Sequence, residues 1–246
     1  MTVTVGIDLA AAPSGTAIAA VSWQYNQAVV EPILTNVTDD VVLHWMHHPG
    51  GAVAIDCPFG WPVKFVELVA LHSSRQLRVD PDLPSGWRRE YVLRETDRHL
   101  HDTLGVSPLS VAADKIGHVA IRLAALLAQV SPHIDVRLDG SGALIEVYPA
   151  AALRVWNLTS RGYKGAANHA TRGALVDQLL EAAPWLSLGS YEAVVRTSDH
   201  ALDAVICALV ARAKQRDWTE PPTNTALAEV VEGWIHIPTR PLAALL

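Results

Sequence analysis

The chain has 246 residues, of which 50% are hydrophobic and 18% are charged, and its net charge is −6 at pH 7. This length and composition allow a large buried core, and the sequence has no lysine- or arginine-rich block of the kind that binds duplex nucleic acid nonspecifically. No uncharged apolar run reaches the roughly 18 residues of a membrane span, and we expect neither a signal peptide nor a membrane partner. The two cysteines, Cys57 and Cys207, lack disulfide or zinc-site spacing, so a reduced, cytoplasmic protein is expected.

The first part of the sequence predicts three strands joined by short turns. Apolar residues alternate with smaller or polar ones up to Asp8, a period of two that favours a strand. Short connections between successive strands are typical of an antiparallel meander. The predicted elements of this region are strands at 3–8, 16–23 and 28–36, a helix at 41–48 that begins after TDD at 38–40 and is stopped by PGG at 49–51, and a strand at 52–57.

The segment from residue 61 to about 105 is the least regular part of the chain. It is rich in Arg, Asp and Pro, contains the turn cluster PDLPSG at 81–86, and carries seven Lys or Arg residues. We interpret residues 61–110 as an insertion of helices and a lid-like loop. The chain from 1 to 246 is otherwise predicted to be a single domain.

The remaining sequence predicts mainly helices, with strands near its start and end. The predicted elements are a helix at 111–130, a hairpin of strands 134–138 and 143–148 joined by DGSG, helices at 149–156, 167–183 and 198–216, and a terminal strand at 233–238. A meander followed by strands joined through helices gives a mixed sheet with helices on its faces. The order matches an α/β ribonuclease H-like fold with a five-stranded sheet.

Acidic residues stand at positions where a buried strand ends. Asp8, Asp56 and Glu146 each lie at or near the end of a predicted hydrophobic strand. Ligands of α/β sheets collect beyond the carboxyl ends of the parallel strands. We therefore expect these side chains to lie near a functional site.

Two further acids lie one helical turn apart in SDHALDAVICALVAR. Asp199 stands in the first turn of the predicted helix, where the helix dipole alone favours an acid. Asp203 lies in an apolar stretch, so its carboxylate needs either a cation or a salt bridge to an Arg. Carboxylates that converge in this way suit Mg²⁺ or Mn²⁺, and two such ions can promote phosphodiester cleavage.

Several motifs together resemble one protein family. The segments GIDLA, AIDCPFGWP, RETDRHL, IEVYPAAAL, YKG, SDHALDAVICALVAR and EGWIHIP resemble the domain-of-unknown-function 429 (DUF429) family, which is regarded as a predicted nuclease with a ribonuclease H-like fold. The helix DHALDAVICAL also resembles the last catalytic helix of RuvC-type resolvases. The resemblance implies Asp8, Asp56 and Asp203 as metal ligands, with Asp199 as a further helix acid. Glu146 matches only the family's own motif.

Two basic segments are candidates for substrate binding. RETDRHL places Arg94, Asp97 and Arg98 on one helical face, which fits either phosphate binding or an exposed ion-pair surface. RGYKG carries Arg161 and Lys164 beside a tyrosine and fits either a loop that holds a backbone phosphate or an ordinary turn.

The leading hypothesis is a Mg²⁺- or Mn²⁺-dependent nuclease with a two-metal carboxylate site and a nucleic acid of unknown type as substrate. Asp8, Asp56 and Asp203 would hold the metals, and Asp199 or Glu146 would assist catalysis. The alternative is a noncatalytic or regulatory nucleic-acid-binding protein on the same fold. A third candidate is an ATP-using enzyme of the actin type, because DLAAAPSGT loosely resembles a phosphate-binding strand and turn. That fold needs two related domains, for which the chain is short.

Overall fold

A computed structural model describes residues 2–48, 52–78, 80, 82–130 and 132–246. The strands are β1 (Thr2–Asp8), β2 (Ala17–Trp23), β3 (Ala28–Thr35), β4 (Val53–Asp56), β5 (Leu144–Glu146) and β6 (Leu186–Ser187). The helices are α1 (Asp39–Met46), α2 (Val63–Ser73), α3 (Arg89–Val92), α4 (Glu95–Leu104), α5 (Ile116–Leu127), α6 (Pro149–Val155), α7 (His169–Ala182), α8 (Glu192–Thr197), α9 (Asp199–Gln215) and α10 (Thr225–Leu227), which continues into a π-helix at Ala228–Glu232. The predicted PGG helix stop and the first residue of PDLPSG lie outside the described residues.

The strands form one mixed sheet in the order β5-β4-β1-β2-β3-β6. β1, β2 and β3 pair antiparallel, which confirms the predicted meander. The pairs β1–β4, β4–β5 and β3–β6 are parallel. The sheet has six strands and not the predicted five, because the two residues of β6 pair with the start of β3.

Two other predicted strands are absent as such. Residues 134–138 have no regular secondary structure over most of their length, and a hydrogen bond from the Ala143 amide to the Asp135 carbonyl joins them to the next segment. Residues 233–238 contribute isolated bridges, Ile235 with Glu146 and Pro238 with Thr219. The 233–238 segment is nevertheless buried. Its apolar pattern therefore predicted its burial correctly, but the predicted strand is wrong.

Helices cover both faces of the sheet. α1 and α5 pack on one face and bury residues such as Val42 and Leu123, whereas α7 and α9 pack on the other. α9 contacts β1, β2 and β4 closely. A Cβ added at Gly6 of β1 would lie 2.0 Å from the Ala204 carbonyl oxygen and 2.3 Å from the Ala208 amide, so glycine is needed for this approach. The small residues of α9 therefore bring its acidic turn close to the ends of β1 and β4.

The segment between β4 and β5 contains helices α2 to α5. α2 has no buried residue, although its sequence is largely apolar. Within the described residues, no helix has the length and apolar character needed to cross a membrane.

Candidate metal centre

Three carboxylates converge at one edge of the sheet. Asp8 and Asp56 are the last residues of the adjacent parallel strands β1 and β4 and are register partners. Asp203, one turn into α9, reaches the same edge because α9 packs directly on β1. One oxygen from each of the three side chains lies within 4.8 Å of the others. The structure thus brings together the three acids that the sequence analysis assigned to a metal.

Burial makes the charged form of these acids costly. Asp203 is 1% exposed and Asp8 is 7% exposed. Burial raises the pKa of Asp203 to about 6. The positive charge of Lys164 opposes this rise, and the negative charge of Asp8 adds to it. Burial also raises the pKa of Asp56 well above its ordinary value, and the neighbouring charges of Asp8 and Asp203 raise it further. A cation between these groups would remove much of this cost.

Asp203 is hydrogen-bonded through both oxygens. The Tyr163 hydroxyl donates to Oδ1 at 2.8 Å, and the Lys164 ammonium lies 2.7 Å from Oδ2. Partial burial lowers the pKa of Lys164, but the charge of Asp203 and its neighbours outweighs this effect and raises that pKa. The expected alternative partner, an Arg, is absent from this position; the counter-ion of Asp203 is a lysine whose side chain is half exposed.

Asp8 has a different partner. Nδ1 of His200 lies 2.6 Å from Asp8 Oδ2, and this hydrogen bond raises the pKa of His200. The His200 side chain is 46% exposed, so the imidazole connects the buried cluster to solvent.

The loop that carries Lys164 is anchored on both sides. Gly162 and Gly165 have φ angles of 74° and 87°, in the left-handed region that favours glycine. The Gly165 amide donates to Asp199 Oδ2 at 2.7 Å, and the buried Arg172 donates to the carbonyls of Gly165 and Tyr163. Asp199 therefore lies outside the three-carboxylate cluster. It stabilises the loop that positions Lys164 beside Asp203.

Glu146 also lies outside the cluster. Both of its oxygens accept from the Arg94 guanidinium, at 2.8 and 2.7 Å, and Oε2 also accepts from the Phe59 amide. Burial raises the pKa of Glu146, against the opposing effect of Arg94. Asp97 binds the other side of the same guanidinium at 2.9 Å. This buried network joins the end of β5 to the start of α4.

The guanidinium of Arg94, predicted to bind a substrate phosphate, lies inside the protein and contacts carboxylates there. Arg94 is 1% exposed, and the network with Glu146 and Asp97 occupies its guanidinium. The sequence predicts that this face of α4 is exposed or faces a substrate. In the structure, Asp97 is buried and caps the start of α4 by accepting from the Arg94 backbone amide. Arg98 donates to the Leu93 carbonyl and lines a separate cavity with Trp87. Arg161 is exposed and donates to the Gly105 carbonyl, so it stays available to a substrate.

His200 and Tyr163 contact the cluster but were not among the site residues predicted from the sequence. His200 is three residues before Asp203 on the same helix, and this spacing places the two side chains on one helical face. That spacing was a usable signal for His200. Tyr163 precedes Lys164 directly, but nothing in the sequence indicated that its hydroxyl would reach a residue 40 positions away.

The donor set fits a hard divalent cation. It consists of carboxylate oxygens on two strands and one helix, which are the ligands that Mg²⁺ and Mn²⁺ prefer. Lys164 carries a compensating charge beside Asp203, and His200 adds one beside Asp8 when its ring is protonated. The cluster can therefore hold a metal ion, and it also has protein cations that stabilise it without one.

The chain was compared with known proteins by sequence and by structure. No curated protein and no solved structure matches it. A family profile described as "Protein of unknown function (DUF429)" matches residues 6–226, which include the three clustered acids. The chain therefore belongs to the DUF429 family.

Proposed function

We propose that the protein is a Mg²⁺- or Mn²⁺-dependent nuclease that hydrolyses phosphodiester bonds at the cluster of Asp8, Asp56 and Asp203. The observation that carries the proposal is the approach of these three carboxylates to within 4.8 Å from separate elements. A structural salt-bridge network would pair each acid with its own buried base. Here burial raises the pKa of Asp56, the charge of Lys164 opposes that rise, and the charges of Asp8 and Asp203 add to it.

The three carboxylates would hold one or two metal ions. Bound there, a divalent ion would supply Lewis-acid activation of a water and neutralisation of the leaving oxygen. Asp8 is also oriented by His200, whose exposed ring can hold a proton at the edge of the site. Lys164 places a half-exposed ammonium beside Asp203, where it can contact a substrate phosphate.

The DGSG turn bears on one of the competing functions. DGSG at 139–142 is a turn in which Asp139 Oδ1 accepts from both the amide and the hydroxyl of Ser141, and a strand follows it. It therefore lacks the helix that follows a phosphate-binding loop, which weakens the ATP-using alternative. The noncatalytic nucleic-acid-binding alternative keeps the same residues, and the assay below separates it from the nuclease.

The test is hydrolysis of labelled oligonucleotides by the purified protein. Single-stranded and duplex DNA and RNA, and a branched DNA, are incubated with Mg²⁺, Mn²⁺, Ca²⁺ or EDTA. We expect cleavage with Mg²⁺ or Mn²⁺, little with Ca²⁺ because of its larger size and looser geometry, and none with EDTA. Asp56→Asn and Asp203→Asn should each abolish it.

The exposed Asp102→Asn variant is the matched control, since Asp102 forms only a surface ion pair with Arg89. It should cleave as the wild type does. Binding of an oligonucleotide without cleavage in any metal would replace the proposal with the noncatalytic alternative. Cleavage that persists in Asp203→Asn would show a contaminating nuclease and contradict the proposal.

A further inference from the structure

A cavity of about 270 Å³ opens directly beside the carboxylate cluster. Asp56 and Lys164, both members of the candidate metal centre, form part of its lining. The rest is mainly apolar. These other lining residues include Pro58, Leu109, Ile116, Val147 and Tyr148.

The walls of this cavity come from the same sheet edge as the cluster. Pro58 follows β4 and Val147 follows β5, and the Val147 amide donates to the Ile55 carbonyl at 3.0 Å. Val147 is 2% exposed and therefore fixed in the core. Leu109, at 50% exposed, forms the rim. The floor is thus rigid, whereas the rim is open to solvent.

The lining selects against a charged group inside the cavity. Its two cations are Lys164, which contacts Asp203, and Arg94, whose guanidinium is held by Asp97 and Glu146. Lys164 can contact a phosphate at the carboxylate cluster, but the apolar part of the lining offers a phosphate no cation. A flat, uncharged ring would instead contact apolar walls and the phenol of Tyr148, which matches the pattern of small-molecule sites.

The size of the cavity limits what can enter. Sites for drug-sized ligands occupy roughly 300–1,000 Å³, so a cavity of about 270 Å³ has room for one ring system and its sugar at most. A base that is paired and stacked in a duplex cannot reach such a space unless it leaves the stack.

We propose that this cavity binds one unpaired nucleobase of the substrate while the adjoining phosphate lies at the carboxylate cluster. This inference rests on the proposed nuclease function and specifies its substrate as a single strand, a strand end or a flipped-out nucleotide. The net charge of −6 agrees with it, because affinity for a duplex depends on many phosphate contacts to lysine and arginine.

The test compares ligands with and without a base. Binding of 5′-AMP, 5′-dTMP and ribose 5-phosphate to the full chain is measured by calorimetry in Ca²⁺, which limits turnover. We expect the nucleotides to bind at least tenfold more tightly than ribose 5-phosphate. Leu109→Asn and Leu109→Trp, one making the rim polar and the other filling it, should remove most of this difference.

Ile121→Asn is the matched control, since Ile121 is 64% exposed on α5 and does not line the cavity. It should keep the preference for nucleotides, and circular dichroism should show that all variants are folded. Equal affinity of the wild type for AMP, dTMP and ribose 5-phosphate would overturn the inference. A preference unaffected by both Leu109 variants would overturn it as well.

A separate titration with Mn²⁺ alone distinguishes this result from failure of the proposed function. The wild type could bind Mn²⁺, lose this binding in Asp203→Asn and show no preference for nucleotides. That result would contradict the base site and support the metal site. Failure of Mn²⁺ to bind would contradict the nuclease itself. Oligonucleotide cleavage supplies the last readout, because single strands should be cut at least tenfold faster than duplexes of the same sequence.

Discussion

The ammonium of Lys164 lies 2.7 Å from the carboxylate of Asp203, and the two side chains differ sharply in burial. The Asp203 side chain is 2% exposed, whereas that of Lys164 is 50% exposed. Lys164 can therefore leave Asp203 at little cost to packing, while Asp203 cannot follow it into solvent. The lysine acts as a replaceable counter-ion for a carboxylate that a metal can also neutralise.

The first prediction concerns the charge of Asp203. Asp203→Asn removes a buried charge at nearly constant volume, and an asparagine carbonyl can still accept from Tyr163. Because Lys164 is half exposed, it is not left as a buried unpaired cation. We expect the free energy of unfolding in EDTA at pH 7.5 to be unchanged or higher by up to about 3 kcal/mol, measured by chemical denaturation.

The pH dependence of this difference provides its check. The pKa of Asp203 is about 6 in the folded chain and near 3.8 when unperturbed, so the folded state holds its proton more tightly. The stability that Asp203 contributes is complete below about pH 4 and is lost as pH rises through 6. The advantage of Asp203→Asn should therefore grow between pH 4 and 6. A loss of 3 kcal/mol or more in the variant at every pH would contradict this account.

The second prediction concerns Lys164. Lys164→Met leaves the Asp203 carboxylate with Tyr163 as its hydrogen-bond donor, so the metal-free protein should lose about 1–2 kcal/mol at pH 8. Millimolar Mn²⁺ should restore much of this stability, because a bound ion stabilises by about 2.7 kcal/mol at a hundred times its dissociation constant. Thermal melts with EDTA and with Mn²⁺ measure both effects. Lys115→Met, at an exposed position, should change neither melt.

The third prediction is that protons compete with the metal. Asp203 has a pKa of about 6, and that of Asp56 is also raised, so both acids must lose protons when a cation binds. The dissociation constant of Mn²⁺ should rise at least about tenfold for each pH unit below 6. Isothermal titration between pH 5 and 8 measures it. An affinity independent of pH would place the ion elsewhere.

The fourth prediction separates the Arg94 network from the metal centre. Arg94→Met leaves Glu146 and Asp97 buried without their cation, so we expect a loss of about 3–5 kcal/mol in the free energy of unfolding. Arg89→Met, which breaks an exposed pair with Asp102, should cost less than about 1 kcal/mol. Chemical denaturation of both variants measures the difference. A fully stable Arg94→Met would contradict the structural role assigned here.

The sequence predicted the fold where a pattern extended over several residues. β1 follows from alternation, β4 from a compact apolar run, and α9 from helical periodicity. β6 has only two residues, too few for a period, and exists because Leu186 pairs with Ala28 at the edge of β3. Residues 233–238 are as apolar as a strand, but Ile235 and His236 bond to Thr96 and Glu146 singly and not as a ladder.

The site was predictable where the sequence around a single acid indicated its place in the fold. Asp8 and Asp56 end apolar strands, and Asp203 interrupts an apolar helix, so each residue was conspicuous alone. Pairing between distant segments was not predictable. Arg94 and Glu146 are 52 residues apart, and only the fold shows that the cation is buried against the acid. For the same reason, the protein partner predicted for Asp203 was an arginine, whereas the structure shows Lys164 there.

The most direct test of the central claim is a crystal of the protein soaked in Mn²⁺ and measured at the manganese absorption edge. We predict an anomalous peak in contact with carboxylate oxygens of Asp8, Asp56 and Asp203, with the ammonium of Lys164 displaced from Asp203. The same soak of Asp203→Asn should show a much weaker peak or none. An empty cluster in the wild type, with Lys164 still bonded to Asp203 at saturating Mn²⁺, would contradict the account.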